Sequence, residues 1–292
     1  MPRAKLPAGI DLEYETFGDE AAPLLVLVMG FSMQMIAWDT AFCEALAARG
    51  FRVVRFDNRD VGRSTKLEHL GFPDFARAMG GDRAAAAYSI EDMAGDLVGL
   101  IDALGAKAAH IVGASMGGFI VQETAIHHPE RVLSVASIMS GTGDRSVGQA
   151  RPEALAALLS PPPPDRDAAV EHALGVWRVI GSPGFPFDEG RMRRRVGAAW
   201  DRDHDPIGVA RQATAIFTQR DRTADLARVR APAVVIHGAD DPLVTLSGGE
   251  ATARAIPGAR MVIVPGMGHD LAEGAWPIIV DAIVDNARRA GA

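Results

Sequence analysis

Ala109-His110-Ile111-Val112-Gly113-Ala114-Ser115-Met116-Gly117-Gly118-Phe119-Ile120-Val121 is the stretch on which the reading of this chain turns. A short apolar run reads as a strand over Ala108–Ala114. Helical spacing takes over at Met116 and lasts to His127, stopped before Pro129. Ser115 occupies the corner between them. A serine on so sharp a turn has strained backbone angles, and its neighbours two positions away crowd it. Gly113 and Gly117 remove the offending β-carbons, so the hydroxyl can stand clear above a sheet edge. The helix behind it aims N-terminal amides, and the positive end of its dipole, at any negative charge that develops there.

Working outward, the same strand-helix rhythm recurs. Ile10, Leu12, Tyr14 and Thr16 alternate with acidic residues, as in a half-exposed strand. Pro23 to Gly30 is a continuous apolar run, which fits a strand buried on both faces. Residues 38–48 carry helical spacing through Trp38, Phe42, Ala45 and Leu46, closed by Gly50. Strands follow at Arg52–Phe56 and Val132–Ile138, with a helix over 90–104. This alternation calls for a mostly parallel central sheet with helices on both faces, an α/β fold.

The rhythm breaks at Gly141. From there to about Ala231 helix formers and turn residues prevail, including the run Pro161-Pro162-Pro163-Pro164, and no buried-strand pattern appears. It resumes with strands at Ala233–Gly238 and Arg260–Val264 and a terminal helix from about Pro277 to Arg289. The expected division is a core of residues 1–140 and 231–292 and a helical cap of residues 141–230 over the C-terminal edge of the sheet, where ligands bind in open α/β folds.

A serine hydroxyl needs a base. Of eight histidines, His269 is the candidate, because Pro265-Gly266-Met267-Gly268-His269-Asp270 is a glycine-rich loop between the last strand and the final helix. His110 and His237 belong to strands and read as structural. His127 and His128 end a helix, while His69, His172 and His204 read as solvated. The orienting acid should fall between nucleophile and base, and Asp241 in Gly238-Ala239-Asp240-Asp241-Pro242 is chosen over Asp240 by spacing. An oxyanion hole would take the amide of Met116 and that of Phe31, where Gly30 allows a tight turn; the Ser32 hydroxyl is the alternative donor. Gly30, Met33, Trp38 and, from the cap, Trp177 are expected to touch substrate in a mainly apolar pocket.

Two polar runs invite other readings. In Asp57-to-Thr65, Asp57 and Arg59 are expected to brace the loops around the serine. Arg191-Met192-Arg193-Arg194-Arg195 is read as a solvated cap face, the alternative being that it steers an anionic substrate.

The bulk properties narrow the partners. With 37 acidic against 30 basic residues in 292, the formal net charge is −7, so nucleic acid is not an expected partner. Cys43 is the single cysteine, which forbids an intrachain disulfide and fits a reducing compartment. The first residues are not followed by an apolar run of signal-peptide length, and no stretch approaches a membrane span, so a cytoplasmic protein is expected. No metal-ligand spacing surrounds His269 and no cofactor is expected. A homodimer is left open.

Taken together, these segments resemble the α/β-hydrolase superfamily across nearly the whole chain. Val28-Met29-Gly30-Phe31-Ser32-Met33, Trp38 and Arg55-Phe56-Asp57-Asn58-Arg59-Asp60-Val61-Gly62-Arg63-Ser64-Thr65 are similar to the esterase branch that includes aclacinomycin methylesterase. The resemblance implies an ester hydrolase with a helical cap, no cofactor and a small-molecule ester, apolar or bulky, as substrate. The oxyanion loop departs from the superfamily's common His-Gly, reading Met-Gly-Phe. Lactone hydrolysis and cofactor-free perhydrolysis need the same residues, and a ligand receptor that keeps a hydrolase site is a reading from another class.

Overall fold

Leu24–Val28 is buried residue by residue, and the reason lies in which layer each side chain joins. Val26 and Val28 pack with Ile111 and Val54 in one apolar cluster. Leu25 and Leu27 pack with Val112 and Val53 in another, on the opposite face. A strand covered on both sides has no place for a polar residue, and each fully buried Val or Leu stabilises the fold by about 1.5–3 kcal/mol.

The computed structural model describes residues 1–161 and 163–291; Pro162, within the proline run, lies outside them. Eight strands form one sheet: β1 (Arg3–Lys5), β2 (Asp11–Phe17), β3 (Leu24–Val28), β4 (Arg52–Phe56), β5 (Ala109–Ala114), β6 (Val132–Ile138), β7 (Ala233–Gly238) and β8 (Arg260–Val264). Their order is β1-β2-β4-β3-β5-β6-β7-β8, antiparallel at the first two pairings and parallel from β4 onward. The helices are α1 (Thr40–Ala47), α2 (Phe75–Met79), α3 (Ile90–Ala103), α4 (Met116–His127), α5 (Pro152–Leu158), α6 (Arg166–Ile180), α7 (Glu189–Arg202), α8 (Pro206–Phe217), α9 (Thr223–Leu226), α10 (Leu246–Ala255) and α11 (Trp276–Arg288). Helices α3 and α4 contribute to the first apolar cluster, α1 and α11 to the second. Every residue of α4 from Met116 to Ala125 is buried, which explains why its sequence shows no polar face.

One local reading is revised, and one helix left no mark in the sequence. On β2, Glu13 is buried although alternation points it outward: it meets the Arg202 guanidinium at 2.6 Å, and its amide donates to the Ser64 hydroxyl. Helix α10 carries no apolar stripe to mark it. Its Gly248-Gly249 pair lowers helix propensity by about 1 kcal/mol per residue, yet a Cβ at Gly249 would meet His237 Nδ1 at 2.3 Å. A Cβ at Gly248 would lie 3.1 Å from Gly148 Cα and from Val244 Cγ1, so packing against β7 and its neighbouring loops fixes both glycines.

Register brings the working parts to one edge. Val28 lies beside Gly113, Ala114 beside Ile138, Ile138 beside Ile236, and Gly238 beside Val264. Three loops that are far apart in sequence thus leave adjacent parallel strands at their carboxyl ends. Between β6 and β7 the chain runs through α5 to α9, with a small apolar cluster of its own formed by Val170, Leu174 and Met192.

Candidate active site

Ser115 has φ 55° and ψ −118°, a left-handed backbone that a side chain adopts only under constraint. The constraint is visible around it. A Cβ on Gly113 would lie 2.0 Å from the Gly117 carbonyl oxygen, and one on Gly117 would lie 2.1 Å from that of Val28. The turn is thus packed backbone against backbone. Ser115 does not cap α4 with its own hydroxyl, so Oγ is left for other partners.

That partner is His269, whose Nε2 lies 3.0 Å from Ser115 Oγ. Its Nδ1 lies 2.8 Å from Asp241 Oδ2. The other Asp241 oxygen accepts the amides of Leu243 and Val244 at 2.8 and 2.9 Å, which aims the carboxylate at the ring. Asp240 faces away and accepts the amide of Gly266, bracing the histidine loop instead. His237 stands beside Asp241 and joins Nε2 to the Val244 carbonyl at 2.7 Å; burial holds its pKa below the usual imidazole range. The segment after α6 grips the same loop: the Ile180 carbonyl accepts the His269 amide at 2.7 Å, and Ser182 Oγ accepts that of Gly268.

Gly30 touches the elbow directly, since a Cβ there would lie 3.1 Å from Ser115 Cβ. Neither the Phe31 amide nor the Met116 amide donates a hydrogen bond among the described residues. The loop between them and β4 is tied down. Asp57 accepts the Met35 amide at 2.6 Å and pairs with Arg202 at 2.8 Å, and Arg59 forms a two-bond pair with Asp96.

A cavity of about 770 Å³ opens above Ser115 and His269. Gly30, Phe31, Met33 and Met116 line it from the core, and Trp177, Ile180 and Trp200 from α6 and α7. Trp38 is corrected: it is fully buried below the site, stacked on Phe42 at 5.5 Å, and lines no part of this cavity. The Met35–Ala37 turn before it directs the ring into the core beneath α1. His172 and His204, read as solvated, line the cavity, the first bonded to Ser160 Oγ at 2.6 Å and the second stacked on Trp200.

Gln212 escaped sequence reasoning. From α8 its Oε1 accepts the Ser32 amide at 3.0 Å while Nε2 donates to the Arg59 carbonyl at 2.9 Å, joining two core loops through one buried amide. The only signal was a glutamine among small apolar residues. Among the described residues no cluster of side chains suits a metal ion, and no helix is long and apolar enough to cross a membrane.

This fold is shared with known proteins. Residues 23–274 match the alpha/beta hydrolase fold family, and the chain belongs to it. More narrowly, it is 30% identical to a rhodomycin D methylesterase of Streptomyces sp. (strain C5), with 96% of each chain aligned. A rhodomycin D methylesterase of Streptomyces peucetius is 29% identical over the same share of each. Among solved structures, the enol-lactonase from Burkholderia xenovorans LB400 superposes with a TM-score of 0.73 at 24% identity, covering 98% of this chain and 100% of that one; it speaks to the fold alone.

Proposed function

We propose that this protein is a serine-dependent carboxylic ester hydrolase, with Ser115 as nucleophile, His269 as general base and Asp241 as the acid that orients it. The reading rests above all on the unbroken contact from Asp241 Oδ2 through the imidazole to Ser115 Oγ, at 2.8 and 3.0 Å. In the first step His269 takes the hydroxyl proton as Oγ attacks the ester carbonyl. Asp241 keeps Nδ1 protonated and stabilises the imidazolium that forms. The amides of Phe31 and Met116, which donate no other hydrogen bond among the described residues, hold the oxyanion. His269 then gives its proton to the leaving alcohol, and water releases the acid by the reverse sequence.

Residues 141–230 act in this proposal as a cap, because α6, α7 and α8 supply much of the cavity wall. Its anchors are the Arg202 pairs with Asp57 and Glu13 and the Arg211 pair with Asp60, all bridging to the core. Homology to the methylesterases supports an ester substrate, and the apolar wall suits a bulky one. A cytoplasmic location belongs to the same proposal and rests on the single, buried Cys43.

The test is turnover of p-nitrophenyl esters of rising acyl length, beside aromatic methyl esters, by the wild type and Ser115→Ala. The variant is expected to lose roughly 10⁴-fold or more in kcat. Turnover near the wild-type rate in Ser115→Ala would refute the assignment.

A further inference from the structure

Helix α7 carries five arginines, and their surroundings differ. Arg191 pairs with Asp39 at 2.7 Å and with Glu273. Arg193 holds Glu171 and Glu189, and Arg202 holds Glu13 and Asp57. Arg194 is exposed to water. The reading of residues 191–195 as a solvated face therefore fits the run in part and fails at Arg195.

Arg195 turns inward and lines the cavity that holds Ser115 and His269. Among the described residues no carboxylate lies within ion-pair distance of it. Its one hydrogen bond runs from Nη2 to the thioether of Met192 at 3.1 Å. Nε is covered and has no partner, and Nη1 makes no hydrogen bond. The guanidinium lies over the Trp177 ring, 5.4 Å from its centre, which sets its orientation. Burial and the like charge of Arg191 push its pKa down, against the opposing charges of Asp270 and Asp39. Asp270 is a poor counter-ion: it is already bonded to the Ser182 hydroxyl, and its own burial pushes its pKa up.

A guanidinium stays charged in a protein, and a charge in a largely apolar wall is unfavourable until an anion meets it. Among the described residues no carboxylate pairs with it directly, while the cavity beside it is open. Arg195 also lines an outer cleft, where Arg55, Arg191 and Arg194 stand beside Asp39, Asp188 and Glu273; Arg55 and Arg191 are ion-paired, and Arg195 is not.

We propose that Arg195 sets substrate specificity: the preferred substrate is an ester bearing a second, ionised carboxylate, which the Arg195 guanidinium grips while the ester carbonyl lies at Ser115. The inference rests on the esterase reading and narrows it to half-esters and related anionic esters. A planar guanidinium offers two parallel donors to a carboxylate, which an ammonium cannot reproduce.

The experiment uses the full chain and two matched series: mono-p-nitrophenyl esters of linear dicarboxylic acids from adipate to sebacate, and p-nitrophenyl esters of monocarboxylic acids of equal length. The readout is the ratio of kcat/KM for charged over neutral ester, measured in wild type, Arg195→Met and Arg195→Lys. The wild type is expected to favour the charged ester at one or more lengths, roughly ten- to hundredfold, as one charge-assisted hydrogen-bonded contact allows. The preference should sit in KM, shrink in high salt, vanish in Arg195→Met and survive in part in Arg195→Lys. Should Arg195→Met fail to fold, inhibition of wild-type neutral-ester turnover replaces it: dicarboxylates must compete better than monocarboxylates of equal length. A wild-type ratio of one or below at every length, or a preference that Arg195→Met leaves intact, overturns the inference while neutral esters are still hydrolysed. If the folded protein hydrolyses neither series, the esterase reading falls and takes this one with it.

Discussion

Gly117→Ala is the smallest change that should disable the site, and its effect can be worked from distances. The added methyl would sit 2.1 Å from the carbonyl oxygen of Val28, 2.8 Å from its carbonyl carbon and 3.0 Å from the Met29 oxygen. An ordinary contact needs more than 1 Å extra, so β3 and the first turn of α4 must separate. Neither yields easily. Val28 is paired to β5, and α4 is buried from Met116 to Ala125. Overpacking of this kind costs about 3 kcal/mol, at the upper end of the usual range, because the atoms it meets are backbone and not a flexible side chain. The same separation moves the Phe31 amide away from the Met116 amide. Losing one such donor lowers kcat about 10²–10³-fold. Gly95→Ala is the control: on the exposed face of α3 its methyl meets nothing within 4 Å, and it should stabilise by about 0.5–1 kcal/mol. Urea titration and p-nitrophenyl ester turnover of both variants are the assay. A Gly117→Ala protein as stable as wild type and within threefold of its activity would show the elbow is not packed as argued.

Three further outcomes follow from buried polar groups. Burial pushes His110 down to about 4, so as pH falls below 6.5 the unfolded chain takes up its proton first; roughly 3 kcal/mol of stability present at pH 7 should be lost by about pH 4. His110→Gln should flatten that part of the urea-midpoint-versus-pH curve, and an unchanged curve would exclude His110 as the cause. The Cys43 thiol is pushed up to about 12 by burial, so a disulfide reagent at pH 8 should label the native protein negligibly and the urea-unfolded chain stoichiometrically; rapid native labelling would contradict the packing. Arg211→Met strands the buried Asp60 carboxylate and should destabilise by about 3–5 kcal/mol, most of it recovered by adding Asp60→Asn; equal destabilisation in single and double variants would show the pair is not what matters.

Much of this molecule was legible in one dimension. Strand β3 announces itself because a position covered on both faces tolerates only apolar side chains, and the elbow because only glycine fits two residues from Ser115. His269 and Asp241 could be picked from eight histidines and two adjacent aspartates because loop position after a parallel strand constrains which residues reach the edge. Sequence was silent where the deciding neighbour is remote. Trp38 looked like a pocket residue by proximity to Phe31, yet the turn at Met35–Ala37 sends it into the core. Gln212 meets Ser32 across 180 positions, and no local pattern encodes that distance. Arg195 sits in a run of like charges that differ only in which way each points around α7. Local chemistry and periodicity, then, determined the layers, the strand ends and the polar residues that gather at the sheet edge. Tertiary packing alone decided which charges are paired, which glycines are obligatory, and which side chains face the cavity, because those depend on atoms contributed from elsewhere in the chain.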